Sequence, residues 1–330
     1  MPKAPAPPAG LGSWLRTDGY LPDSEPKGEH AEWLERWSIP LADIDEALLE
    51  RVLHAVTRRV DGMSNVASVA RRRRNLLATI LRSAVRRGLI GTNPIDRVEW
   101  RTPVHSLAVD VVTVPSPTDV LAAVEHVASV GRLDARRYAA MFALVGIAGM
   151  RPSEVAAIRV DDLQLPEQGW GLVRARGAIT SPGRLYTTGG TTVESKGLKH
   201  RPVGAVRDVP LSPAVVQYVR DHLAQFAPVG GRLLSNAAGR PVTAANYHPV
   251  WARTRAALWP AGHPLSSTTV YDLRHAAATM MLRAGVPPAE VARRLGHSVD
   301  VLMRVYAGVF DDERDRSNQL IDDAMSTTLH

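Results

Sequence analysis

Arg151, Arg274, His297 and Tyr306 are the residues of this 330-residue chain whose types and spacing suit one reaction. Arginine clamps a phosphate through paired donors and stays charged at any physiological pH. A tyrosine hydroxyl can attack phosphorus and become covalently attached to it. Arg274 lies in Tyr271-Asp272-Leu273-Arg274-His275; His297 follows it by 23 residues, in Leu295-Gly296-His297, and Tyr306 follows 9 further on. Arg151 stands upstream in Gly149-Met150-Arg151-Pro152-Ser153-Glu154. Two arginines, a histidine and a tyrosine converging on one point would perform phosphoryl transfer on a nucleic-acid backbone, with no metal and no other cofactor.

From about residue 40 to the C-terminus these boxes, in this order, resemble the tyrosine recombinases, also called phage-type integrases. The family's C-terminal signature is an H-x-x-R box, a histidine or tryptophan in an L-G-H context, and a nucleophilic tyrosine one helical segment later. Arg274, His297 and Tyr306 stand at those spacings, and Gly149 to Glu154, continued by Val155-Ala156-Ala157-Ile158-Arg159, is similar to the first arginine box. The resemblance implies that Arg151 and Arg274 clamp the scissile phosphate, that Tyr306 is the nucleophile, and that His297 binds phosphate or assists proton transfer. It also implies a lysine general acid on a β-hairpin, because a deoxyribose 5′ oxygen leaves poorly without a proton. The stretch Glu194 to Arg201, followed by Val206 to Leu211, resembles that hairpin; Lys199 is the first choice and Lys196 the reserve. One position departs from the pattern: Tyr271 stands where the H-x-x-R box usually opens with histidine, and its phenol donates a hydrogen bond without bringing positive charge. His275 is expected to pack or hydrogen-bond within the core.

These residues need a scaffold of the right class. A hydrophobic fraction of 45% and a charged fraction of 22% are those of a globular protein, and 330 residues suggest two domains. A net charge of +7 fits a polyanionic partner. With no cysteine there are no disulfides, thiolate metal sites or cysteine nucleophiles. No HExxH or GxxxxGK[ST] occurs, and Glu154, Asp161 and Asp162 do not make a convincing two-metal set. The longest apolar run, Tyr138 to Met150, is too short to span a bilayer, so no membrane partner and a cytoplasmic location are expected.

Along the chain, residues 1–28 read as a flexible tail rich in Pro, Gly and Ala. Residues 29–99 read as a helical domain, with one stripe of Leu41, Ile44, Leu48, Val52 and Val56 and another of Val69, Leu76, Leu77, Ile80, Leu81, Ala84 and Val85. From Arg51 to Arg101 this segment holds twelve arginines against three acids. Arg71, Arg72, Arg73, Arg74, Arg82 and Arg86 are therefore candidate DNA contacts, in the place where the family carries its core-binding domain. Residues 100–116 read as a linker and 117–330 as the catalytic domain. Helices are expected over 120–130, 136–148, 152–159, 271–284, 288–295 and 299–309, and strands over 172–175 and 206–211. Leu320, Ile321, Ala324 and Met325 put an apolar face on a C-terminal docking segment. The expected fold is mainly α with a small antiparallel β-sheet (α+β).

The resemblance implies a site-specific recombinase that cuts and rejoins double-stranded DNA through a 3′-phosphotyrosine, with four protomers on two duplexes. Two alternatives share the fold: a catalytically silent DNA-binding protein, motivated by Tyr271, and a type IB topoisomerase that rejoins the original strand.

Overall fold

The computed structural model describes residues 5–17, 24–56, 58, 67–100, 113–130, 132–183, 187, 190–199, 201–202, 204–310 and 314–328. The chain divides into two compact units, residues 1–106 and 107–330, and the division falls inside the expected linker.

In the first unit, helix α1 (Leu11–Thr17) lies within the expected tail, so that stretch is not featureless. Leu11 is buried, and the Ala9 carbonyl pairs with the His30 ring on α2 (Glu29–Trp37) at 3.1 Å. Helices α3 (Glu46–Val56) and α4 (Ala67–Arg86) form the core with Ile95 and Val98, through Leu49, Leu53, Ala78 and Leu81. The predicted stripe on α4 is partly wrong, because Leu76 and Ile80 are exposed and alanines take the buried positions. The arginines of α4 sort by what they touch. Arg73 caps the end of α3, donating to the Val56 carbonyl at 2.6 Å, and Arg74 lies over the Trp100 ring. At ~100° per residue, Arg71, Arg72, Arg82 and Arg86 fall within about 100° of one another, and all four are exposed.

The second unit is built on a helix apolar all round. Ser116 caps α5 (Pro117–Ser129) through a reciprocal box with Asp119. After the short α6 (Leu133–Arg136), every residue of α7 (Ala139–Gly146) is buried, as expected of a helix with no polar face. The helix expected over 136–148 is α7, shorter at both ends. Pro152 opens α8 (Pro152–Val155), which ends well before Arg159. Strands β1 (Leu163–Gln164), β2 (Gly171–Ala175) and β5 (Arg207–Leu211) form an antiparallel sheet with β2 central, Val173 opposite Val209. Between β2 and β5, β3 (Ala178–Thr180) and β4 (Glu194–Lys196) pair as a separate ribbon, and β3 packs against α8. Helices α9 (Pro213–Gln225) and α10 (Ala244–Leu258) complete the shell, with the Trp251 indole donating to the Thr268 carbonyl at 2.8 Å.

Three more helices carry the C-terminal boxes: α11 (Val270–Arg283), α12 (Pro288–Leu295) and α13 (Val299–Val305). They share a core of Ala277, Met281, Val291, Leu295, Leu302 and Val309. The helix expected over 299–309 breaks at Tyr306, where α14 (Ala307–Phe310) begins. The C-terminal α15 (Arg314–Thr328) exposes Ile321 and Met325, each 61% accessible. Among the described residues no helix is long and apolar enough to cross a membrane.

Candidate active site

The C-terminal end of α12 organises the site. A helix leaves its last carbonyls without intrahelical donors and concentrates negative potential there. Three arginines from distant parts of the chain take three successive carbonyls: Arg207 bonds that of Arg294, Arg274 that of Leu295 at 2.7 Å, and Arg151 that of Gly296 at 3.2 Å. Gly296 makes this possible in the left-handed conformation, φ +69°. A Cβ there would lie 3.0 Å from Arg207 Nε and 3.2 Å from its Cδ. Gly296→Ala is expected to lower stability by about 1–2 kcal/mol from the left-handed backbone alone. A larger fractional loss of activity than of folded protein, in thermal melts beside DNA-cleavage assays, checks that the arginines shift with it.

Arg274 is 1% exposed. Beyond Leu295, it donates to the Gly149 carbonyl at 2.6 Å and to His297 Nε2 at 2.8 Å, while its buried Nε has no partner. Gly149 has φ +75°, and a Cβ there would stand 2.6 Å from Leu295 Cδ2, so the first box packs directly on the helix of the L-G-H box. Burial, then the charge of Arg151, pulls Arg274 below the ordinary guanidinium value, yet it stays protonated at neutral pH.

Arg151 and Arg207 share one acid. Glu154, 3% exposed, accepts from Arg151 Nη1 at 2.8 Å, from the Arg151 backbone N–H at 3.0 Å and from Arg207 Nη2 at 2.5 Å. Burial would raise this carboxyl, but Arg207 and Arg151 outweigh it and hold it below the usual carboxylate range. Glu154 is thus a positioning group for both guanidiniums. Sequence reasoning gave it no role and overlooked Arg207. A signal was present: Arg207 is in phase with Val209 and Leu211, the inward positions of β5, so an inward arginine demanded a buried acid.

His297 is held in one tautomer. Arginine cannot accept a hydrogen bond, so Nε2 accepts from Arg274 and the proton sits on Nδ1, which is buried and without a partner. Burial first, then Arg274 and Arg151, push its pKa down to about 3. The unfolded chain takes up a proton there that the folded chain does not, so this residue's stabilisation is complete above pH ~6.5 and declines as pH falls toward the folded value. In the DNA-free protein, imidazole NMR signals of His297 are expected to show no titration between pH 5 and 8.

Tyr306, 1% exposed, ends α13, and its hydroxyl pairs with His275 Nδ1 at 2.8 Å. Burial raises the phenol well above its ordinary value, with Arg274 opposing. Tyr271, one turn before His275, is 43% exposed and meets the His275 ring edge-on, with centroids 5.3 Å apart. The lysines stand apart from this cluster. Lys196 closes β4 opposite Ala178 and pairs with Glu194 at 3.0 Å; Lys199 is exposed in the turn beyond, outside the ladder. The structure therefore gathers Arg151, Arg274, His297, Tyr306 and Tyr271, with Arg207, Glu154 and His275 added, and leaves both lysines at the neighbouring ribbon.

Comparisons with known proteins bear on the fold and the family. A prophage phiRv2 integrase of Mycobacterium tuberculosis (strain H37Rv) is 25% identical over 297 residues, spanning 83% of this chain and 72% of the relative. The Tn1549 transposon integrase, solved with transposon right end DNA, superposes with a TM-score of 0.62 at 16% identity, over 94% of this chain and 98% of that one. The XerH recombinase bound to its difH substrate gives 0.56 at 16% identity, over 83% and 72%. A lambda integrase dimer on a core site gives 0.51 at 14% identity, over 88% and 86%. The family model for the phage integrase family matches residues 117–313, which span α5 through Tyr306, and the chain belongs to that family.

Proposed function

We propose that this protein is a site-specific DNA recombinase of the tyrosine class, an enzyme that cuts and rejoins DNA strands through a covalent 3′-phosphotyrosine. The observation that carries this reading is the convergence at the end of α12, where Arg151 and Arg274 meet His297 while Tyr306 reaches the same turn of α11 through His275. The Tyr306 oxygen bonds to phosphorus as the bond to the 5′ oxygen breaks, and the leaving oxygen takes a proton. A 5′ hydroxyl from a partner strand then attacks the phosphotyrosine and releases Tyr306. Charge that builds on the non-bridging oxygens meets fixed donors, Arg274 Nε and His297 Nδ1 among them.

Lysine supplies the leaving-group proton. Position on a hydrogen-bonded strand, in the ribbon whose other strand β3 packs against α8, supports Lys196 over the Lys199 first chosen, because a ladder residue is held more firmly than one in a turn. Double-stranded DNA is the partner. Arg71, Arg72, Arg82 and Arg86 on α4 offer phosphate contacts in the first unit, with Arg73 and Arg74 partly committed to their own unit. A cleft lined by Arg174, Arg176, Arg201 and Arg293 offers them in the second. Strand exchange brings four protomers around two duplexes, and the exposed Ile321 and Met325 on α15 support that helix as the docking segment.

A nicked duplex that loses its short 5′ fragment after cleavage tests the proposal. With neither metal ion nor nucleotide added, a detergent-stable protein–DNA adduct is expected. Binding without any adduct would favour the silent DNA-binding alternative, and relaxation of supercoils without exchange between two duplexes would favour the topoisomerase.

A further inference from the structure

We propose that His275 is the base that takes the Tyr306 proton during cleavage and returns it during rejoining; this inference rests on the reaction assigned above. Among the described residues, His275 Nδ1 is the one recorded hydrogen-bond partner of the Tyr306 hydroxyl, at 2.8 Å, within reach for direct transfer. His275 follows Arg274 on α11. Neighbouring helical residues project about 100° apart, so Arg274 turns to α12 while His275 turns to the C-terminal end of α13. Clamp and base therefore ride on one rigid turn. The tyrosine is equally constrained, because its backbone N–H donates to the Leu302 carbonyl at 2.9 Å and its ring is walled into the α11–α13 core.

The other side chains at the site are poorly placed for this role. His297 Nε2 is occupied by Arg274, and its Nδ1 already bears hydrogen. Tyr271 carries a phenol, which is itself an acid. Glu154 is saturated by Arg151 and Arg207. Lys196 is paired with Glu194, and Lys199 lies in the turn beyond. The groups facing His275 are Tyr271, Asp272 and Arg274 from its own helix, Tyr306 from the end of α13, and His297 from beyond α12. Burial lowers the His275 pKa, with Asp272 opposing and Arg274 adding to the effect, so the ring is neutral at pH 7 and its lone pair is available.

The proton balance is closed. As the Tyr306 oxygen bonds to phosphorus, its hydrogen passes to His275 Nδ1 and the ring becomes an imidazolium, Nε2 keeping its own hydrogen. The 5′ oxygen leaves with the proton of the general acid. In the rejoining step the 5′ hydroxyl attacks, the phosphorus–tyrosine bond breaks, and the imidazolium protonates the departing phenolate.

Single-turnover cleavage on the nicked duplex tests this with His275→Ala and His275→Asn. Asparagine can place a hydrogen-bond acceptor near the Nδ1 position, yet it cannot hold a proton at neutral pH. Both variants are expected to bind the duplex like the parent and to cleave about 10²–10³-fold more slowly, within the usual range for general bases. The acidic limb of the parent pH–rate profile should vanish in both. A fluorinated tyrosine at position 306, more acidic than tyrosine, should narrow the gap between parent and variant. A 5′-bridging phosphorothiolate, which relieves only the leaving group, should not. Near-parental rates in His275→Asn overturn the proposal and leave His275 a positioning residue, as does a fluorotyrosine that leaves the gap unchanged. If folding fails in both variants, a parental profile with no acidic limb below pH 6.5 overturns it equally. An absence of adduct with the parent chain overturns the underlying recombinase reading instead.

Discussion

Tyr306→Phe is expected to abolish the covalent adduct on nicked DNA while leaving duplex binding at the parental level. The substitution removes one oxygen, and the ring keeps its place among Leu302, Val309 and the residues of α11 and α12. The structural cost is the hydrogen bond to His275, about 1 kcal/mol. Catalysis loses its nucleophile entirely, so the adduct should fall below detection at any enzyme concentration. Among the described residues Tyr271 is the one rival phenol at the site, 43% exposed and one turn from His275. Tyr271→Phe should therefore retain adduct formation. Gel electrophoresis in detergent with labelled DNA, beside a binding titration for both variants, separates the two phenols. An adduct that survives in Tyr306→Phe and disappears in Tyr271→Phe would reassign the nucleophile.

Glu154→Gln is expected to cost the most stability of any conservative change at the site, about 3–5 kcal/mol, because it leaves buried arginine charge unbalanced. Arg207 is only 3% exposed, and the amide keeps one acceptor oxygen where the carboxylate had two, so either the Arg151 side chain at Oε1 or the Arg151 backbone and Arg207 at Oε2 lose their acceptor. Chemical denaturation monitored by tryptophan fluorescence gives the size. The carboxyl also sets an acid limit. Its folded-state pKa lies below the unfolded value, so its stabilisation is complete above pH ~4.5 and is lost as pH falls through the folded value. In Glu154→Gln that part of the acid dependence should flatten. Activity should fall even where the variant is fully folded, since the charge that holds the Arg151 and Arg207 guanidiniums together is gone.

Much of this site was legible from spacing. The helices expected over 271–284 and 288–295 placed Arg274 on α11 and His297 just past α12. What spacing could not reveal was the partner of each charge. The Arg207–Glu154 pair joins residues 53 positions apart and depends on the sheet bringing β5 under α8 and α12. The stripe on α4 misled as well. Leu76 and Ile80 carry the hydrophobicity of a core face, but Leu81 and the alanines Ala70, Ala78 and Ala84 take the buried positions. The hairpin expected from Glu194–Arg201 and Val206–Leu211 is not the pairing that forms: β4 pairs with β3 and β5 with β2, and the three-residue β3 is too short for alternation to register. The break at Tyr306 is likewise a tertiary outcome: the tyrosine leaves helical geometry, with φ −113° and ψ 21°, where its hydroxyl meets His275.

The end of α12 has a mechanical consequence. Because Arg151, Arg207 and Arg274 all hang from successive carbonyls of one helix, none can be displaced alone by a movement of that helix. A slide or tilt of about 1 Å lengthens several of these bonds past useful hydrogen-bond range at once. The helix end thus ties the three guanidiniums into one mechanical unit: whatever displaces α12 disturbs the whole constellation together instead of one arginine at a time.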